Sequence, residues 1–174
     1  MRIMPANKIS LDNAKTDKLF YFVVNAVIYR ESDKRCLILK RHEREKVHPG
    51  KYAVPGGKLE WKDLNITKPT RINGDVLDFE NTVEELLARE VLEEAGIQIK
   101  SGIYFLNDVA FIRPDEIPVI LIKFAAKFKR GEVKLEPGSF TDYAWVNDIE
   151  VKKYNCIDGI QEEVIETIKL FENK

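Results

Sequence analysis

The stretch from Asn81 to Ile97, N-T-V-E-E-L-L-A-R-E-V-L-E-E-A-G-I, constrains this chain more than any other. Its apolar spacing predicts a helix over Asn81 to Ala95. Asn81 is the expected N-cap, Glu84 completes a capping box three residues later, and Gly96 supplies the stop. At about 100° per residue, Val83, Leu86, Leu87 and Val91 form one apolar face. Glu90 and Glu94 project within the same arc, and Glu93 lies at its edge. Acids that only solvate a helix belong on the opposite side. Three carboxylates gathered at the end of a core-facing stripe repel one another and resist burial unless a cation compensates them. Oxygen ligands at i, i+3 and i+4 suit a hard divalent ion, Mg²⁺ or Mn²⁺.

Upstream lies Pro55-Gly56-Gly57. Two adjacent glycines let the backbone approach a ligand, and a bare carbonyl there can join a metal shell. Arg89 stands four residues after Glu85 and four before Glu93, so it is expected to bridge both and fix the ligand rotamers. Taken together, these residues resemble the Nudix box, G-x5-E-x7-R-E-U-x-E-E-x-G-U with U aliphatic. Arg89, Glu90, Val91, Glu93, Glu94, Gly96 and Ile97 match its second half. The first half departs. Counting back from Arg89, the isolated glutamate of the box falls on Asn81; counting forward from Gly57, it falls at position 63. The difference of 18 residues (81 − 63) marks an insertion, placed at Trp61 to Glu80. Asn81 has no carboxylate, and Glu80 or Glu85 would have to stand in.

The resemblance implies an α/β fold, a Nudix-like α/β/α sandwich around a mixed sheet, with the chain forming one domain. It implies a Mg²⁺-dependent pyrophosphohydrolase that cleaves a nucleoside diphosphate linked to X and releases a nucleoside monophosphate. Glu90, Glu93 and Glu94 then hold metal with the carbonyl of Gly57, or of Gly56 if the register slips by one. Arg89 supports them, and Glu90 is one candidate for the general base. A (d)NTP or oxidised dNTP is the first expectation for substrate. ADP-ribose or a nucleotide sugar is the second, from Pro114, 17 residues beyond Ile97 (114 − 97). A non-catalytic nucleotide sensor is the third, from Asn81. The resemblance also allows a homodimer.

The rest of the chain reads consistently with that order. Residues 1 to about 17 are unpatterned and are expected as a flexible arm or short edge strand. Phe20 to Tyr29, Cys36 to Lys40 and Lys51 to Val54 read as strands. Within the insertion, Asn73-Gly74 signals a small hairpin or flap, from which Lys62, Lys68 or Arg71 could reach phosphates. Strand-like runs follow over Ile97 to Ile112 and Val119 to Phe128. A last strand spans Tyr143 to Val146, and a closing amphipathic helix covers Ile157 to Phe171. Arg41, at a strand end, is a candidate phosphate contact. Glu136 and Asp142 are outside candidates for the site. His42 and His48 read as exposed; Tyr104, Phe105, Phe111 and Trp145 can stack a base but suit the core better.

Net charge is −1 over 174 residues, which argues against a general nucleic-acid binder without excluding a single nucleotide. Cys36 and Cys156 form no metal or disulfide pattern. No apolar run approaches the roughly 20 residues that span a bilayer. The N-terminus, M-R-I-M-P-A-N-K, lacks a secretory core, so a cytoplasmic protein is expected.

Overall fold

Alternating β-branched and aromatic residues from Tyr21 onward build the centre of the fold. The computed structural model of the protein describes residues 8–173. The strands are β1 (Tyr21–Arg30), β2 (Arg35–Arg41), β3 (Tyr52–Ala53), β4 (Gly56–Lys58), β5 (Arg71–Asn73), β6 (Val76–Asp78), β7 (Gln98–Ile99), β8 (Tyr104–Ile112), β9 (Pro118–Arg130) and β10 (Phe140–Val146). The helices are α1 (Thr82–Ala95) and α2 (Ile160–Glu172). Eight strands form one sheet along the path β10-β2-β1-β9-β7, with β3 on β2, β4 on β1 and β8 on β9. The β1–β9 pairing is parallel and the other pairings are antiparallel, so the sheet is mixed.

Register divides β1 into two faces, because side chains alternate along a strand. Val24, Ala26 and Ile28, with Leu37 and Leu39 of β2, meet Leu86, Leu87, Val91 and Ala95 of α1. Val27 and Tyr29, with Cys36, Ile38 and Ala125, meet Val164, Ile168 and Phe171 of α2. The result is the expected α/β/α sandwich. Leu87 is fully buried, and truncating such a residue to alanine costs about 2–5 kcal/mol. Among the described residues no helix is long and apolar enough to cross a membrane.

Several local expectations are corrected. Asn81 precedes α1 in the left-handed region (φ 58°), which Asn tolerates better than most residues, and its side chain makes no capping hydrogen bond. Glu84 does not close a capping box; its carboxylate accepts the Gly102 N–H at 2.6 Å. Gly96 does end the helix, at φ 70°, donating its N–H to the Leu92 carbonyl. The run Ile97 to Ile112 is two strands, β7 and β8. The last strand begins at Phe140, not Tyr143. Of the N-terminal arm, residues 1–7 lie outside the described residues; residues 8–17 form no strand. The hairpin predicted at Asn73-Gly74 is β5–β6, a separate two-stranded sheet.

Candidate active site

The site starts where β4 meets α1. Pairing with β1 puts Gly56 beside Asn25 and Gly57 beside Val24. A Cβ on Gly56 would strike the Val24 carbonyl oxygen and Asn25, and one on Gly57 would strike the Glu90 carboxyl group. Close approach, not an unusual φ, requires glycine at both positions. The Gly56 N–H donates to Glu94 Oε2 at 3.0 Å. Glu90 Oε1 accepts from Arg89 Nη2 at 3.2 Å, and Arg89 Nε lies 3.9 Å from Glu93 Oε1.

Arg89 has a stronger partner that sequence reasoning missed. Its Nη1 donates to Asp63 Oδ1 at 2.7 Å, and the Asp63 side chain is only 7% exposed. The other Asp63 oxygen accepts the Glu60 N–H at 2.8 Å, closing the short turn Trp61–Asp63. Asp63 stands six residues after Gly57, where the forward count put the isolated acid of the motif. Asp63 lies within the stretch Trp61 to Glu80 read as the insertion. The signal was present in the sequence as an acid one methylene shorter than glutamate. The expected Arg89–Glu85 bridge is replaced by this pairing, and Glu85 is exposed. Glu80 does not stand in either, since it pairs with Arg71 at 3.1 Å.

Charge is distributed unevenly across this cluster. Burial pushes the Glu94 carboxyl up to about 8; the Gly56 N–H and Arg41 oppose the shift, while the Glu90 and Glu136 charges add to it. Burial also raises Glu90, although Arg89 pulls it back. Burial works to raise Asp63 as well, but the Arg89 hydrogen bond and the Glu60 N–H leave it below its ordinary value. Glu136 belongs to this neighbourhood, its backbone N–H donating to the Glu94 carbonyl at 3.0 Å.

A divalent ion suits these residues. Among the described residues no three His, Cys, Asp or Glu side chains are arranged as a finished cage. The donor set is nevertheless all oxygen, and Glu94 is half-buried beside two other carboxylates with a backbone N–H as its hydrogen-bond partner. The bare backbone of Gly57 lies against Glu90. Hard cations prefer such carboxylate and carbonyl oxygens. Glu90, Glu93, Glu94 and the Gly57 carbonyl could hold one, with Glu136 close by.

The other candidates disperse. Arg41 acts on Glu94 electrostatically, but its guanidinium is held by Glu45 (2.7 Å) and the Val47 carbonyl (2.9 Å). Asp142 accepts the Tyr52 hydroxyl at 2.8 Å. Lys62 pairs with Glu60, and Arg71 with Asp78 and Glu80. His42 accepts the Arg44 N–H, and His48 is exposed. Tyr104 packs on Phe171, Phe105 on Phe124 and Trp145 on Phe128, while Phe111 stays exposed. Both thiols are buried, and burial raises them.

A mixed sheet between two helices sets clustered carboxylates of one helix against a glycine turn, an arrangement suited to metal-assisted hydrolysis. The NUDIX domain pattern matches residues 20–167. The chain belongs to the NUDIX family, and it is a Nudix hydrolase acting on phosphoanhydride bonds. It is similar to the MutT protein from Methanosarcina mazei Go1, with 25% identity, a TM-score of 0.62, and coverage of 92% of this chain and 100% of that one. It is similar to the MutT NUDIX hydrolase from Burkholderia pseudomallei, with 22% identity, a TM-score of 0.61, and 85% and 99% coverage. The NUDIX domain of Shewanella oneidensis NrtR, solved with ADP ribose, shares 17% identity at a TM-score of 0.63, with 93% and 96% coverage. No curated protein sequence matches the chain.

Proposed function

We propose that the protein is a Mg²⁺- or Mn²⁺-dependent pyrophosphohydrolase of (d)NTPs, oxidised dNTPs included, releasing a nucleoside monophosphate. The observation that carries this reading is Glu94, a half-buried carboxyl group beside Glu90 and Glu136 and partnered by the Gly56 N–H. Ionising this half-buried carboxyl without a cation is costly, and an anionic phosphate chain cannot supply the missing charge. A divalent ion can; when bound it neutralises the phosphates and acidifies water.

The chain's own groups prepare that event. The Gly56 N–H orients Glu94, and Arg89, anchored by Asp63, holds one Glu90 oxygen while leaving the other available. Burial raises the proton affinity of Glu90, which moves it towards the range useful to a general base. Gly57 brings backbone to within contact of Glu90, where a side chain would block a ligand. The exposed Glu93 completes the proposed ligand set.

A second reading is ADP-ribose or a nucleotide sugar, favoured by the likeness to an NrtR domain solved with ADP ribose and by the Arg113-Pro114 turn after β8. The test is a panel of dNTPs, oxidised dNTPs, ADP-ribose, nucleotide sugars and dinucleoside polyphosphates, with products separated by anion exchange. Preferred cleavage of a dNTP to dNMP and pyrophosphate supports the first reading; preferred cleavage of ADP-ribose to AMP replaces it with the second. Nucleotide binding with no cleavage of any member would make the protein a sensor.

A further inference from the structure

Strand β8 closes the sheet beyond β9, and among the described residues no other strand pairs with it. Its outer row of backbone N–H and C=O groups has no strand to bond to. Neither helix covers its second half. Val109, Phe111 and Ile112 are 39%, 42% and 75% exposed. An apolar edge of this kind is a template for another strand, and proteins that keep such an edge single protect it with lysine, proline or a bulge. In β8 the bulge lies between Phe105 and Asn107. From Asn107 to Ile112 the register with β9 is regular, and that stretch holds no lysine, no proline and one charge, Asp108.

That stretch fits a second copy of itself in one register. A two-fold axis perpendicular to the sheet keeps each face on its own side, so odd positions meet odd ones and even meet even. An axis at Asp108 would set the two carboxylates face to face. One at Val109 would set Asn107 against Phe111, and one at Phe111 would set Val109 against Arg113. With the axis at Ala110 the pattern matches. Val109 comes opposite Phe111, Asn107 opposite Arg113, and the small Ala110 opposite itself, while the two Asp108 carboxylates move apart to face Ile112. Aromatic and β-branched side chains paired across strands are favourable, and like charges directly opposite are not. The row Tyr21–Val119–Phe111 then continues into Val109–Leu121–Val23 of the second copy, so one apolar row runs through six strands.

We propose that the protein forms a symmetric dimer by antiparallel pairing of β8 with β8 of a second copy, with the two-fold axis at Ala110. Asp108 to Ile112 of each copy then meet. A pairing of five residues buries less than the roughly 1,600 Å² of a standard stable interface, so the dimer is weak and reversible, with a dissociation constant of about micromolar order. The interface does not depend on which substrate is hydrolysed.

The test is sedimentation velocity from about 1 to 500 µM, a range that populates both monomer and a dimer of micromolar affinity. The sedimentation coefficient should rise with concentration, and amide hydrogen exchange from Asp108 to Ile112 should slow in parallel. Val109→Lys and Phe111→Glu, both at exposed positions, should each weaken the association at least about 10-fold, because each places a charge in the pairing twice. Mixing the two variants should restore it. The introduced lysine of one copy then faces the introduced glutamate of the other, and the second Val109–Phe111 pair stays intact. A protein that stays monomeric throughout overturns the proposal. So does a dimer that both variants still form, or one that the mixture fails to restore, since another face would then join the copies. Should a variant misfold, the exchange pattern of the unaltered protein decides alone, and slowing confined to any other segment overturns the proposal.

Discussion

Each helix presses a glutamate towards the sheet, and the two are balanced in opposite ways. Glu163 of α2 meets Lys123, a cation supplied by the sheet itself. Glu94 of α1 accepts one backbone N–H and has Glu90 and Glu136 for neighbours, while Arg41, already paired with Glu45, acts on it only through space. One charge is completed within the chain. The other is left for a charge from outside, which is the basis of the proposed metal site. Buried charge alone does not mark a catalytic group; what matters is whether the fold also buries its partner.

Stability in EDTA gives the largest expected contrast. Glu163→Gln leaves Lys123 without its counter-charge and should lower the unfolding free energy by about 3 kcal/mol. Glu94→Gln removes a carboxylate that has no cation and should leave stability unchanged or raised. Urea unfolding of the two variants checks this, and equal losses would erase the distinction.

The pH dependence sharpens the same comparison. The carboxyl of Glu94 has an ordinary value of 4.5 and is raised to about 8 in the fold. Between those values the folded protein keeps a proton that the unfolded chain has released, so stability is full below about 4.5 and declines as pH rises towards 8. Thermal melts of the metal-free protein should show a lower Tm at pH 8 than at about pH 5. Glu94→Gln should abolish that part of the difference, and a saturating divalent ion should suppress it.

A smaller effect is expected one step from the carboxylates. Asp63→Asn weakens the anchor of Arg89 and should lower kcat/KM about 10-fold, as loss of a group that supports a ligand does; Asp63→Glu should restore most of it. Steady-state kinetics decide, and no change would remove Asp63 from the site. Smallest is the hairpin. Ile72 and Val76 are exposed and, among the described residues, β5 pairs only with β6, so replacing residues 71–78 by a short glycine linker should change stability by less than about 0.5 kcal/mol in urea unfolding.

Much of α1 was legible because its information is local. Helical period placed Leu87 and Val91 in the core with Glu90 and Glu94 beside them, and Gly96 marked the end. Asp63 was not read, because the motif is interrupted and the two counts disagree; only the fold brings position 63 back to Arg89 across 26 residues. The Asn81 cap failed for a different reason: its left-handed backbone turns the side chain away from the amides it was expected to accept. Asp142, an outside candidate in the sequence, accepts the Tyr52 hydroxyl, a contact between residues 90 positions apart that no local pattern announces. The polar row Asn25–Lys123–Asn107 was illegible altogether. Asn25, Lys123 and Asn107 become neighbours through the β1–β9 and β8–β9 registers, and period-two alternation assigns a face without saying which strands share it.

The measurement that bears most directly on the central claim is dNTP hydrolysis by the unaltered protein and by Glu94→Gln, each with EDTA and with Mg²⁺ or Mn²⁺ restored. The account predicts turnover that EDTA abolishes and the ion restores, with kcat at least about 100-fold lower in Glu94→Gln while nucleotide binding persists. Equal turnover in EDTA, or a Glu94→Gln variant as active as the parent, would contradict it.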